Sequence, residues 1–213
     1  MKNIGCALLC LLALTACNKK TEPSTENFTN GMNAYMEKHG DFCLAKNTWP
    51  IDVTEHEMGA HGRNALQMPV LEKIGLTKSS IATVDVRDED TGTTSKIKVM
   101  RFELTDEGKK YYLTKAMDRK TSDGSVQTVK GDFCAARLSL DKVVDWEPPK
   151  KQEDGKQTTI VTYTFNVDPA PWTASPDIQK VFPVVAYIVQ GAKKVQLKEP
   201  FILTPDGWQA ADS

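Results

Sequence analysis

The chain has 213 residues, and the side chains of widest chemical reach in it are five cysteines (Cys6, Cys10, Cys17, Cys43, Cys134) and three histidines (His39, His56, His61). Cys43 and Cys134, 91 residues apart, do not make a zinc-finger set with the three histidines. His56-Glu57-Met58-Gly59-Ala60-His61 is one residue longer than the His-Glu-x-x-His helix that holds zinc. Histidines five apart on a helix point about 140° away from each other, so they do not share a metal there and read as solvent-facing or locally bonded. Asp88-Glu89-Asp90-Thr91-Gly92 begins like a calcium loop and then fails, because Gly92 falls one place early and the twelfth position is Val99. There is no nucleophile elbow or phosphate-cradling glycine loop, and neither a metal nor a cofactor is expected. Aspartates and glutamates are plentiful, but their order along the chain does not bring two of them across a cleft, so a two-carboxylate hydrolase is neither built nor excluded. Trp49, Trp146, Trp172 and Trp208 each lie beside a proline or near a turn. They have two readings: they line a ligand groove or partner-facing patch, or they plug the ends of a sheet and close its core.

The N terminus carries the most specific pattern. Met1-Lys2-Asn3 supplies one positive charge, and residues 4–13 form an apolar run too short to span a membrane. Leu14-Thr15-Ala16-Cys17 follows and resembles the lipobox of bacterial lipoproteins. The resemblance implies cleavage before Cys17, diacylglycerol on its thiol and acylation of its new amino group. Residues 1–16 are then the signal peptide and Cys17 is lipidated; residues 17–27, polar from Lys19 to Asn27 with one proline, read as a flexible tether. Two or more acyl chains anchor stably, at roughly 0.8 kcal/mol per buried methylene. Asn18, where an aspartate would favour retention at the inner membrane, points to the outer membrane and a domain facing the periplasm. An ordinary secretory leader that happens to hold a cysteine is the other reading.

On that resemblance Cys6 and Cys10 leave with the leader and Cys17 carries lipid. Cys43 and Cys134 remain, an even pair in an oxidising compartment, and a disulfide is expected; a reactive thiol or metal ligand is the alternative. Loss of residues 1–16 removes Lys2 and no acid, which moves the formal charge from −1 to −2. With a sequence pI near 6.3, no basic surplus points to nucleic acid.

An internal similarity runs through the rest. Gly40-Asp41-Phe42-Cys43-Leu44-Ala45-Lys46 matches Gly131-Asp132-Phe133-Cys134-Ala135-Ala136-Arg137. Leu66-Gln67-Met68-Pro69-Val70-Leu71 parallels Lys180-Val181-Phe182-Pro183-Val184-Val185, and Leu104-Thr105-Asp106-Glu107-Gly108 parallels Leu203-Thr204-Pro205-Asp206-Gly207. The order suggests two related units, residues 28–115 and 131–213, with 116–130 as a linker. Chance matching between only two copies is the competing reading. A true duplication would place the two cysteines at equivalent positions.

The elements that must position these residues follow from periodicity. Phe28, Met32, Tyr35, Met36 and His39 share a helical stripe ended by Gly40, and Leu66, Val70 and Ile74 share another ended by Gly75. Residues 81–87 and 96–104 read as a hairpin, and Thr105 caps a short helical turn. Residues 134–146 and 158–167 read as strands joined across Asp154-Gly155, the second with strict alternation from Val161 to Val167. Ser175-Pro176 starts a helix that Pro183 should kink, and 195–203 returns as a strand. The class is α+β with a mainly antiparallel sheet and packed helices.

Leu71-Glu72-Lys73-Ile74-Gly75-Leu76, the hairpin after it and Phe102-Glu103-Leu104-Thr105-Asp106-Glu107-Gly108-Lys109-Lys110-Tyr111 resemble the helix-plus-wing segment of winged-helix regulators, with residues 63–74 as the recognition helix. The resemblance implies a winged-helix-like scaffold in each duplicated subdomain, used for protein contact. DNA binding does not follow, since the helix carries only Arg63 and Lys73 as cations and holds Pro69. The expectation is a lipid-anchored envelope protein with a non-enzymatic binding role, as an accessory or assembly factor or an inhibitor or immunity protein. Its partners would be the membrane, through the lipid, and an envelope protein or peptidoglycan. A periplasmic hydrolase of peptidoglycan or glycan is the alternative.

Overall fold

The computed structural model describes residues 19–121 and 123–212; the leader, the lipobox and Cys17 lie outside them. In chain order the elements are α1 (Thr25–His39), β1 (Asp41–Cys43), β2 (Ile51–Thr54), α2 (Glu55–Gly59), α3 (Arg63–Lys73), β3 (Thr77–Arg87), β4 (Thr94–Leu104), α4 (Asp106–Lys109), β5 (Tyr112–Leu113), β6 (Met117–Lys120), β7 (Val126–Val129), β8 (Asp132–Trp146), β9 (Lys150–Lys151), β10 (Gln157–Pro169), α5 (Pro176–Val181), α6 (Pro183–Gly191), β11 (Leu197–Thr204) and β12 (Gly207–Ala210). The recorded strand pairings are antiparallel, and the fold is α+β.

Compactness divides the chain in a different order from the sequence. Among the described residues one unit is 19–40, Ser139–Asn166 and 193–212; the other is Asp41–Leu138 and Val167–Ala192. The chain passes between them four times, where the internal similarity anticipated consecutive units at 28–115 and 131–213. The stretch 116–130, expected as a linker, holds the β6–β7 hairpin.

In the first unit, the later residues of β8, then β10, β11 and β12, lie side by side. Val161, Tyr163 and Phe165 of β10 are buried, in keeping with the alternation of that strand. Helix α1 buries Phe28, Met32 and Met36. It lies so close to β12 that a Cβ on Gly31 would come 2.4 Å from the Trp208 carbonyl oxygen, which only glycine permits. The expected tether at 17–27 is, in its described part, docked. Ser24 Oγ caps α1 by accepting from the Asn27 N–H at 3.2 Å, and Trp208 Nε1 donates to the Thr21 carbonyl at 3.1 Å. Polar composition signalled a tether there, but the same serine and acids also suit a helix start.

In the second unit, β4 lies between β2 and β3. Asp52 and Arg101 are cross-strand partners, and the guanidinium holds the carboxylate with two bonds of 2.7 Å. Helix α3 buries Ala65, Met68 and Leu71 into a core that includes Val53, Phe102, Phe133, Ile178 and Val185. It runs beside α5, where Gln67 Nε2 donates to the Val181 carbonyl at 3.0 Å and Lys73 pairs with Asp177 at 2.6 Å. Pro183 does more than kink its helix. Phe182 takes φ −123° and ψ 66°, outside the helical region, so α5 ends and α6 begins anew with Pro183 at its start. The residue before a proline is driven from helical geometry, and here the chain breaks there rather than bends.

The landmarks of the internal similarity have different fates. The first Gly-Asp-Phe-Cys segment forms β1, which pairs antiparallel with residues 134–137 of β8; the second lies at the start of β8, and the two meet at Cys43 and Cys134. Thr105 Oγ caps α4 by accepting from the Gly108 N–H at 3.1 Å, whereas Thr204 closes the β11–β12 turn.

Asp41 lies across from Arg137 in the β1–β8 register, and its carboxylate is bonded by Arg137 at 2.7 Å and paired with Lys115. Burial by itself would push the Asp41 carboxyl up; the bonds from Lys115 and Arg137 outweigh it and hold the carboxyl below its usual range. A depressed folded pKa gives stability that is fully present above roughly pH 4 and lost as pH falls through the folded value. Asp41→Asn should therefore cost about 2 kcal/mol at pH 7 and progressively less as the pH falls below about 4. Urea melts of both proteins across that range check it; a cost independent of pH would refute it.

Candidate functional site

Cys43 and Cys134 are bonded to each other. They are direct partners in the β1–β8 register, with a bulge between Phe42 and Cys43. Residues 44–50 leave this bond as a loop held at several points. The Leu44 N–H donates to the Phe133 carbonyl, Trp49 Nε1 donates to the Lys46 carbonyl at 3.1 Å, and Tyr112 Oη donates to the Asn47 carbonyl at 2.7 Å.

The loop turns at Ala45, whose φ of 61° lies in the left-handed region that costs a non-glycine residue roughly 1–2 kcal/mol. The turn aims two successive N–H groups at one carboxylate. Asp132 Oδ2 accepts from Ala45 at 3.0 Å and Oδ1 from Lys46 at 2.6 Å, and Oδ1 also accepts from its neighbour Phe133 at 2.7 Å. Successive amides pointing inward make an anion-binding concavity, and a buried side chain of the protein itself fills this one.

Beside it opens a cleft of about 280 Å³ lined by Ala45, Lys46, Asn47, Thr48, Ile51 and Asn64. Lys46 is 5% exposed, and its Nζ donates to Asn64 Oδ1 at 2.6 Å. Burial, and then the Arg63 guanidinium, bring the ammonium down to about 8, with Asp132 acting against them. A buried lysine facing a cleft with a lowered pKa is the kind of group that functional sites are built from.

The tryptophans do not gather at this cleft. They fall into two pairs, each around one phenylalanine. Trp49 and Trp172 stand 6.1 and 5.6 Å from Phe133; Trp146 and Trp208 stand 5.1 and 5.3 Å from Phe28. Trp172 and Trp208 are buried and the other two half-buried, a packing role in each unit. His56 lies in α2 and His61 outside it, while Glu57 accepts from the Thr54 N–H at 2.9 Å and completes a capping box. The Asp88 carboxylate is engaged by its own turn, accepting from the N–H groups of Asp90 and Thr91. Cys17 lies outside the described residues.

Lys46, Asn64 and Asp132 were not singled out by sequence. One signal for them existed: the internal similarity puts a cation three residues after each cysteine, Lys46 and Arg137. Only the folded chain distinguishes the buried Lys46 from Arg137, which pairs with Asp41. No protein-family model, curated protein or solved structure matches this chain, so the functional argument rests on its own residues.

Proposed function

We propose that the protein is a lipid-anchored component of the cell envelope, set in the outer membrane through Cys17 and facing the periplasm, that binds another envelope component without transforming it. One observation carries the binding role: large apolar side chains exposed on the helices of the second unit. Val184 and Tyr187 of α6 are 58% and 56% exposed, and Leu66 of α3 is 48% exposed. α3 and α5 run antiparallel, with Gln67 opposite Val181 and Lys73 opposite Asp177, which puts the Leu66 end of α3 alongside the start of α6. Beneath these residues Val185, Ile178 and Met68 are fully buried, so the outward residues are not required by the core. Apolar surface held out by a packed core is the mark of an interaction site.

The strand–helix–helix–hairpin order from β2 to β4, with β4 between β2 and β3, supports a winged-helix-like scaffold used for protein contact. The disulfide supports an oxidising compartment. A two-carboxylate hydrolase gains no support from the clefts: the one beside Lys46 is lined by no carboxylate, and one in the first unit, of about 380 Å³, is lined by Glu147 alone among acids.

A photoreactive amino acid at Tyr187 in intact cells tests the reading. It should give a discrete crosslinked adduct in the membrane fraction, while the same group at the exposed Val144 of the first unit gives none. Adding Cys17→Ser should release the protein from that fraction. The absence of an adduct at Tyr187 would sink the binding role, and retention of the Cys17→Ser protein in membranes would sink the anchor.

A further inference from the structure

We propose that the cleft lined by Lys46, Asn47, Thr48 and Asn64 is a binding site for a carboxylate group, with Lys46 Nζ as its cationic contact. This is independent of the surface and of the anchor proposed above.

The argument begins with the surroundings of Lys46. Its ammonium has three N–H donors, and one is used, on the neutral amide oxygen of Asn64 at 2.6 Å. No carboxylate among the described residues lies within ion-pair distance of it. Asp132, the acid whose field reaches it, already accepts three backbone N–H bonds, from Ala45, Lys46 and Phe133. Arg63 adds a second positive field from α3. A buried cation without a counter-charge is costly, and proteins resolve this by pairing it or by letting it lose its proton. Here the proton is loosened, to about 8, and among the described residues no carboxylate is paired directly with the ammonium, the Asp132 field reaching it only from a distance.

The cleft is shaped to supply that group from outside. It opens on Lys46 between the Asn47–Thr48 stretch of the loop and Asn64 in the first turn of α3, with Ile51 as an apolar wall. Helix α3 has Gly62 at its N-cap and no side-chain cap, so its first-turn N–H groups and the positive end of its dipole add to the field around Asn64. One ammonium, side-chain amides and a hydroxyl match a singly charged carboxylate, and the apolar wall suits the short carbon stem behind it. The loop is fixed before binding, by the disulfide at Cys43 and by the bonds to Asp132, Lys46 and Asn47, so little ordering remains to be done when the ligand enters.

The charged groups bearing on Lys46 are Arg63 of α3 and Asp132 of β8. Binding should therefore follow the Lys46 proton and weaken roughly tenfold from pH 7 to 9. The test is amide NMR of the purified full chain, titrated with acetate, with the dipeptide Ala-Ala, and with Ala-Ala amide, against sodium chloride at equal ionic strength. Acetate and Ala-Ala should shift the amides of residues 46–48 and 63–65 saturably, and the dipeptide amide should bind at least tenfold more weakly than the dipeptide. Equal affinity for acetate and Ala-Ala identifies a free small carboxylate as the ligand; tenfold tighter Ala-Ala identifies a peptide carboxyl terminus. Lys46→Met keeps the apolar stem and should abolish the shifts. If that variant does not fold, the pH series on the unaltered protein decides alone. The site is refuted if saturating acetate leaves those amides unmoved, if the dipeptide amide binds as well as the dipeptide, or if affinity is flat from pH 7 to 9.

Discussion

Replacing both Cys43 and Cys134 with serine should lower the stability of the folded chain by about 4–5 kcal/mol in the chain-entropy account. The bond spans 91 residues of sequence, and a loop of that length takes more freedom from the unfolded chain than any contact within a single element does. Within the native second unit its loss also touches the cleft. The bond fixes the point from which residues 44–50 depart, and Ala45 and Lys46 hold Asp132 from that point. A loop freed at Cys43 keeps only its hydrogen bonds. Urea melts of the unaltered chain, of the same chain under dithiothreitol and of the double serine variant should give one high midpoint and two coincident low ones. Coincidence of all three would mean that the bond adds nothing to stability.

Phe28→Ala should cost about 3–5 kcal/mol, the range for emptying a fully buried aromatic site. Phe28 is completely buried, and its ring meets Trp146 at 5.1 Å, Trp208 at 5.3 Å and Phe201 edge-on at 5.7 Å. Those partners come from β8, β12 and β11, so one side chain ties α1 to three strands of its unit. The surroundings cannot collapse to fill the space, because Gly31, one turn along α1, already touches the Trp208 backbone. Tryptophan fluorescence during urea unfolding is a direct reporter, since two of the four indoles line the new cavity. A loss under about 1 kcal/mol would show that α1 is not held through Phe28.

Local structure was legible where a stripe and a terminator coincide. Helix α1 follows the spacing of Phe28, Met32 and Met36 and stops at Gly40; α3 ends just before Gly75, whose φ of 80° is the left-handed value glycine allows. Strand β10 follows its alternation, and β3 and β4 lie on either side of the acidic turn. Where the sequence misled, two local rules competed. Pro183 was expected to kink a single helix, and the residue before it broke the helix in two. The polar composition of 17–27 argued for a tether, but Ser24 and Glu26 begin a helix that Phe28 has reason to bury. The candidate site was largely illegible. Nothing near Lys46 in the chain marks it as buried, and the carboxylate that its loop embraces lies 86 residues away.

Residue order fixes the type and nearly the ends of the principal helices and strands, because their signals repeat every two to four residues and need no distant partner. Long-range packing sets which chain segments make up each unit, the enclosure of Lys46 and the filling of the Ala45–Lys46 amides by Asp132. Those outcomes depend on which strand lies beside which after loops of tens of residues have closed, and burial, which sets the charge and reach of an amine, exists only once they have.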